Sequence, residues 1–274
     1  MPAPVEYIED VAQLEAAVSA CLTKDVVSID TEFARFNTYY PIVGLIQIYD
    51  GEICYLIDPL AIDDLSSMAQ LLTAEHVLKI FHACSEDMEV FQHCLGALPS
   101  PVIDSQIAAA ALGVGFSVSY QNLVEHYLSI VVPKEETRSD WLQRPLTSSQ
   151  LDYAALDVIY LLRVYEIQKE ALLAAGRTLW VEEECSQLSV GLATMIEPDA
   201  AFEKVKGLSR LNRKQLSVLR ALCAWRETKA RESDVPRNRV VDQKSLLIIA
   251  SENLRSKEDL QSEKHVTQAG AKVW

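Results

Sequence analysis

The chain has 274 residues, of which 49% are hydrophobic and 23% charged. That composition excludes wholesale disorder and a fibrous protein, and at roughly 150 residues per domain the length suggests two domains. The formal net charge of −14 argues at first against a nucleic-acid partner, but it is unevenly spread: residues 1–202 carry −21 and residues 203–264 carry +6. An acidic body joined to a basic segment fits a carboxylate-rich catalytic domain followed by a module that meets phosphates; it also fits an ordinary solvated surface. Apolar runs such as 107–114 fall far short of the ~20 residues that span a bilayer. The N-terminus is acidic and has no secretory pattern. Six cysteines without a C-x-x-C pair point to reduced thiols and a cytoplasmic protein.

In chain order, Val11, Leu14, Val18 and Leu22 fall at helical spacing. Val26–Ile29 is β-branched and reads as a buried strand. Ile42–Tyr49 and Ile53–Ile57 flank Asp50-Gly51, a hairpin signal, so the first three strands are expected to form an antiparallel meander. A helix is expected over 63–72 and a strand over 77–81. The next helix spans 85–95, with Ser85 as its cap and Glu86 and Asp87 in its first turn. A short strand at 102–103, a helix over 104–112 and another over 121–128 follow. Thr147 or Ser148 caps a long helix ending near Ala175 with Gly176 as its C-cap. A further helix is expected over 178–192, with Pro198 as a break. From Leu208 on the chain is basic and helical, most clearly over 215–231. The resulting division is an α/β domain at 1–175, a helical linker at 176–207 and a helical module at 208–274.

Three groups of residues carry chemistry. Asp30 and Glu32 close the first strand of the meander and, two residues apart, point to one face. Paired carboxylates raise each other's pKa or hold a divalent cation, and oxygen-only ligands favour Mg²⁺ or Mn²⁺; an exposed strand-end pair is the other reading. Asp87 sits in a helix's first turn, where acids also serve the dipole. Tyr153 and Asp157, four residues apart, share a helix face beside the small Ala154 and Ala155.

Together these groups resemble the three motifs of the DEDDy 3′–5′ exonuclease family. The closer likeness is to its bacterial ribonuclease D branch. It extends to Thr38-Tyr39-Tyr40-Pro41, to Gly44-Leu45-Ile46-Gln47-Ile48 and to Ser139–Thr147. The resemblance implies a ribonuclease-H-like mixed sheet flanked by helices. It implies two Mg²⁺ (or Mn²⁺) ions, with Asp30 bridging them, Glu32 and Asp157 completing the first site, and Asp87 acting mainly through coordinated water. Tyr153 would orient the attacking water. Phe33 either stacks on a terminal base or belongs to the core, and His82 lies near the site or is a satisfied core histidine. Trp141, with Arg138 and Arg144 nearby, either meets single-stranded nucleic acid or anchors its loop. Lys134 is a weaker phosphate candidate. The basic segment 208–260 resembles an HRDC module, expected from that resemblance to be incomplete, with Trp225 in its core.

The expected substrate is RNA with a free 3′ end, above all precursor tRNA, released as nucleoside 5′-monophosphates. No membrane and no obligate protein partner are expected, and monomer is the default. The alternatives are a DNA-directed exonuclease of the same type and a nuclease-dead RNA-binding protein.

Overall fold

A computed structural model describes residues 3–132, 136, 139–194, 197–252, 254 and 256–262. The chain divides into two compact units, one of residues 1–34 and 41–192, the other of residues 35–40 and 193–274. This differs from the expected division at two places. The helix over 178–194 belongs as far as Leu192 to the first unit rather than to a linker, and the six residues 35–40 fold with the second.

The first unit is built on a mixed six-stranded sheet. Its strands are β1 (Val5–Ile8), β2 (Val26–Ala34), β3 (Ile42–Tyr49), β4 (Cys54–Ile57), β5 (Leu78–Phe81) and β6 (Val102–Asp104), in the order β1-β4-β3-β2-β5-β6. The expected meander is present as β2-β3-β4, antiparallel throughout. Strand β1 was not expected; it pairs parallel with β4, and its four residues include an exposed Val5, so it carries no strong periodic signal. Asp50 stabilises the β3–β4 turn by accepting from the backbone N–H groups of Glu52 and Ile53.

Helices cover both faces of the sheet. They are α1 (Val11–Cys21), α2 (Ser66–Thr73), α3 (Ser85–Leu95), α4 (Ser105–Ala111), α5 (Tyr120–Leu128), α6 (Ser148–Ala175) and α7 (Thr178–Thr194). One core cluster joins Ile29, Ile46, Ile48 and Ile80 to Leu14 of α1, Leu71 of α2 and Met88 and Phe91 of α3. On the other face Leu45 and Leu56 pack with Trp141 and with Ala154, Ala155 and Val158 of α6. Thr147 caps α6 through a reciprocal box with Gln150, and Gly176 ends the helix at a φ of +65°. Helix α3 begins differently from expectation. Ser85 is its first residue, and Cys84 at the cap makes no side-chain bond. Instead Asp104 holds the β5–α3 connection, accepting from Ala83 N at 3.0 Å and Cys84 N at 2.9 Å.

The second unit is helical: α8 (Arg213–Glu232), α9 (Arg237–Val240), α10 (Gln243–Glu252) and α11 (Lys257–Ser262), preceded by 3₁₀ turns at Pro198–Lys204 and Leu208–Arg210. Leu219, Leu222, Cys223, Leu246 and Ile249 form its core, with Trp225 packed against it. Tyr39 belongs to this core. Its hydroxyl bonds Glu227, whose carboxylate also receives Arg237 at 2.5 Å and Arg231 at 2.9 Å. Asp234 accepts from the backbone N–H groups of Tyr39 and Tyr40. These bonds explain why Thr38–Pro41 behaves as a motif. Most of 261–274 lies outside the described residues.

Candidate active site

Strand β2 outruns its neighbour. β5 pairs only with Val26, Val27 and Ser28, so the acidic end of β2 has no strand on that side. A notch beyond a strand's carboxyl end is where open α/β sheets gather ligands. Asp30 lies opposite Gln47 and Glu32 opposite Leu45 on β3, with the register slipping between Glu32 and Phe33. The face carrying Ser28, Asp30 and Glu32 meets α6, since the Ser28 hydroxyl donates to the Val158 carbonyl at 2.7 Å. This contact sets Asp157 beside the strand. Carboxylate oxygens of Asp30, Glu32 and Asp157 all lie within 4.8 Å of one another. Tyr153, one turn earlier on α6, hydrogen-bonds the Asp157 carboxylate.

Asp87 arrives from the other side of the sheet. Residue Thr31 points away from Asp30 and Glu32, and its hydroxyl donates to Asp87 Oδ1 at 2.5 Å.

Electrostatics set this group apart. Burial, with Asp87, Asp157 and Glu32 as like-charged neighbours, pushes Asp30 well above the usual carboxylate range. Burial, with Asp157 and Asp87, does the same to Glu32. Burial raises Asp157 to about 7 against the lowering effect of Tyr153, and raises Asp87 to about 7 against that of Thr31. No cation is among the influences on Glu32 or Asp157, and Asp157 Oδ1 is buried without a hydrogen-bond partner. A hard divalent cation fits this all-oxygen donor set and supplies the missing positive charge.

A 3′–5′ exonuclease family model matches residues 5–172, and an HRDC domain model matches residues 215–272. Ribonuclease D of Pseudomonas paraeruginosa is 44% identical over 256 residues, covering 93% of this chain and 68% of its own. Ribonuclease D of Escherichia coli is 41% identical over 224 residues, covering 82% of this chain and 60% of its own. The chain belongs to the ribonuclease D family.

It spans about two thirds of the length of these relatives, 68% and 60% for the two named. The crystal structure of Escherichia coli RNase D, described as an exoribonuclease involved in structured RNA processing, superposes with a TM-score of 0.90 at 36% identity, covering 98% of this chain and 71% of that one. The catalytic core of RRP6 from Trypanosoma brucei follows with a TM-score of 0.70 at 27% identity, covering 98% and 76%. The ribonuclease-H-like sheet and the HRDC region are therefore as expected for a ribonuclease D, and the exonuclease domain carries the acid cluster.

The other expected site residues divide. His82 lies in this neighbourhood: its Nδ1 is 2.8 Å from Ser105 Oγ, its ring meets Tyr120 edge-on at 5.6 Å, and burial lowers its pKa. Phe33 is half-buried, just past the slip in register. Trp141 is a correction. It is 3% exposed within the α6-facing core, with its backbone oxygen 2.5 Å from where a Cβ on Gly44 would stand, so it anchors its loop and has no free face for a base. Arg144 is another. Its guanidinium is consumed by Asp58, at 2.6 and 2.7 Å, and by the carbonyls of Gly44, Trp141 and Gln143. Both residues explain the 139–147 motif as structure rather than substrate contact. Lys134 and Arg138 lie outside the described residues.

Sequence reasoning missed four residues here. Thr31 reads as the spacer of D-x-E. Asp104 reads only as the start of α4, although its carboxylate holds the turn before α3. Tyr120 donates to the Leu156 carbonyl at 2.7 Å, and its hydroxyl is pushed up by burial and by Asp157 and Asp30. Gln47 is fully buried opposite Asp30, with both amide atoms unpartnered. Only Gln47 left a signal, a polar residue inside an otherwise apolar strand.

Proposed function

We propose that this chain is a metal-dependent 3′–5′ exoribonuclease that removes nucleotides one at a time from RNA 3′ ends, precursor tRNA among them, and releases nucleoside 5′-monophosphates. The observation that carries this reading is the group formed by half-buried Asp30 and Glu32 and buried Asp157, with carboxylate oxygens within 4.8 Å of one another. Asp30, Glu32 and Asp157 would hold one divalent ion, with Asp30 shared with a second and Asp87 acting mainly through coordinated water; Mg²⁺ or Mn²⁺ suits the oxygen donors. When bound, such ions stabilise the attacking and leaving oxygens of an in-line phosphodiester displacement and acidify the nucleophilic water.

The chain's own residues do the rest. Tyr153 lies one turn before Asp157 on the same helix face and lowers its pKa through a hydrogen bond, which supports a place for the phenol beside the acids. A tyrosine hydroxyl ordinarily titrates at about 10, so positioning the water is the first role of Tyr153, with general-base work left open. Water adds to the terminal phosphorus, the bond from phosphorus to the 3′ oxygen breaks, and the leaving oxygen takes a proton. The four acids must be ionised to hold the cations, which in turn favour the ionised form.

A time course on a 5′-labelled RNA with a 3′ extension tests the reading. A one-nucleotide ladder in Mg²⁺, lost with chelator and lost in Asp30→Asn, is expected. A matched DNA oligonucleotide cut at equal rate would shift the reading to a DNA-directed exonuclease. RNA binding without any cleavage in Mg²⁺ or Mn²⁺ would shift it to a binding protein.

A further inference from the structure

The four acids are not delivered in the same way. Asp30 and Glu32 are fixed by a paired strand, and Asp157 by a helix anchored through Ser28. Asp87 comes from the opposite layer, on a helix whose cap residue makes no side-chain bond. The turn before it passes through Ala83 at a φ of +56°, a left-handed conformation costly for a residue with a Cβ. Asp104 restrains that turn by its backbone, but it does not touch the Asp87 carboxylate. The side-chain contact that reaches the carboxylate from another element is Thr31 Oγ1 to Asp87 Oδ1, buried at both ends and bridging 56 positions in sequence, beside a local bond from the backbone of Asp87 itself.

We propose that Thr31, the middle residue of the Asp30-Thr31-Glu32 strand end, is a positioning residue that holds Asp87 in the cation site by committing one of its oxygens and leaving the other for the site. Strand alternation makes this possible. Asp30 and Glu32 face α6, while Thr31 shares the face of Ile29, which packs with Met88 and Phe91 of α3. The missing β5 partner beyond Ser28 leaves room for the α3 acid to reach that side chain. The β-branched Thr has few rotamers, so its hydroxyl is held ready rather than recruited. The three consecutive residues thus serve two layers of the fold, and the D-x-E spacer is functional.

The inference rests on the metal-dependent reading above. Its test compares wild type, Thr31→Val and Thr31→Ser by RNA trimming across a Mn²⁺ titration and by the Mn²⁺-induced rise in melting temperature without RNA. Thr31→Val keeps shape and removes the donor. It is expected to raise the Mn²⁺ concentration for half-maximal rate by about 10-fold or more, to lower kcat and to leave KM for RNA unchanged. The Mn²⁺-induced stabilisation shrinks in parallel. Thr31→Ser restores both. Wild-type metal dependence in Thr31→Val overturns the proposal, and so does a Thr31→Ser variant as impaired as the valine, which would make the role one of packing. Should Thr31→Val not fold, Thr31→Ala is judged by the same readouts. If wild type itself shows no Mn²⁺ response, it is the metal-dependent reading that fails.

Discussion

Each unit buries carboxylates, and the two treat them in opposite ways. In the helical unit Glu227, 2% exposed, receives Arg231, Arg237 and the Tyr39 hydroxyl, and despite burial its pKa falls to about 2. In the exonuclease unit four acids crowd together without a protein cation among the influences on Glu32 or Asp157, and Asp157 and Asp87 rise to about 7. Burying a charge is tolerable only when it is paired. Glu227 is complete within the protein, so its role is architectural. The acid cluster is incomplete within the protein, so its role is to receive something positive.

The largest expected effect follows from removing a member of the incomplete group. Asp30→Asn or Asp157→Asn should lower trimming by on the order of 10³-fold, the loss of several kcal/mol of transition-state stabilisation. The metal-free melting temperature should hold or rise, because a repelling charge is gone. Glu227→Ala is the mirror experiment. It removes the acceptor of two partly exposed arginines and of the Tyr39 hydroxyl, and should destabilise the helical unit by about 1–3 kcal/mol, read by denaturant unfolding, with no change in Mn²⁺ affinity. Equal stability losses in the two variants would break the contrast.

Tyr153→Phe sharpens it further. Trimming should fall by about 10²-fold in kcat, while Mn²⁺ binding measured by calorimetry stays near wild type. Proton linkage gives a smaller, signed effect. The raised acids bind protons in the folded state between their ordinary value of 3.8 and about 7, so metal-free stability from them is greatest below that window and is lost as pH rises through it. Glu227, lowered from 4.5 to about 2, contributes stability above that window that is lost as pH falls through it. Melting curves across pH should therefore show a shallower upper slope in Asp157→Asn, where Asp87 still titrates, and lose the lower one in Glu227→Gln. The smallest effect is for Tyr39→Phe, which removes one hydroxyl from the Glu227 group and should cost about 1 kcal/mol.

Periodicity and motif spacing made most of the scaffold legible. The meander, the α6 capping box and the order of helices follow from alternation, Asp-Gly and Thr-x-x-Gln signals that act locally. Strand β1 escaped because four residues, two exposed, one half-buried and one buried, carry no alternating pattern; only pairing with β4 makes them a strand. Residues 35–40 escaped because their partners lie about 190 residues away. At the site, the acids and Tyr153 were recognisable as a set, and the geometry of Asp30, Glu32 and Asp157 agrees with that set. Trp141 and Arg144 misled because an aromatic beside cations reads like a nucleic-acid contact, whereas Asp58 and Gly44 had already claimed them. Thr31 and Asp104 were illegible because their value lies in whom they touch, not in what they are.

The most direct measurement is calorimetric titration of the protein with Mn²⁺ near neutral pH in two buffers of different ionisation heat. The account predicts saturable binding accompanied by proton release, since acids held near 7 must ionise to accept the metal, and loss of that binding in Asp30→Asn. Binding that releases no protons, or that survives Asp30→Asn unchanged, would contradict it.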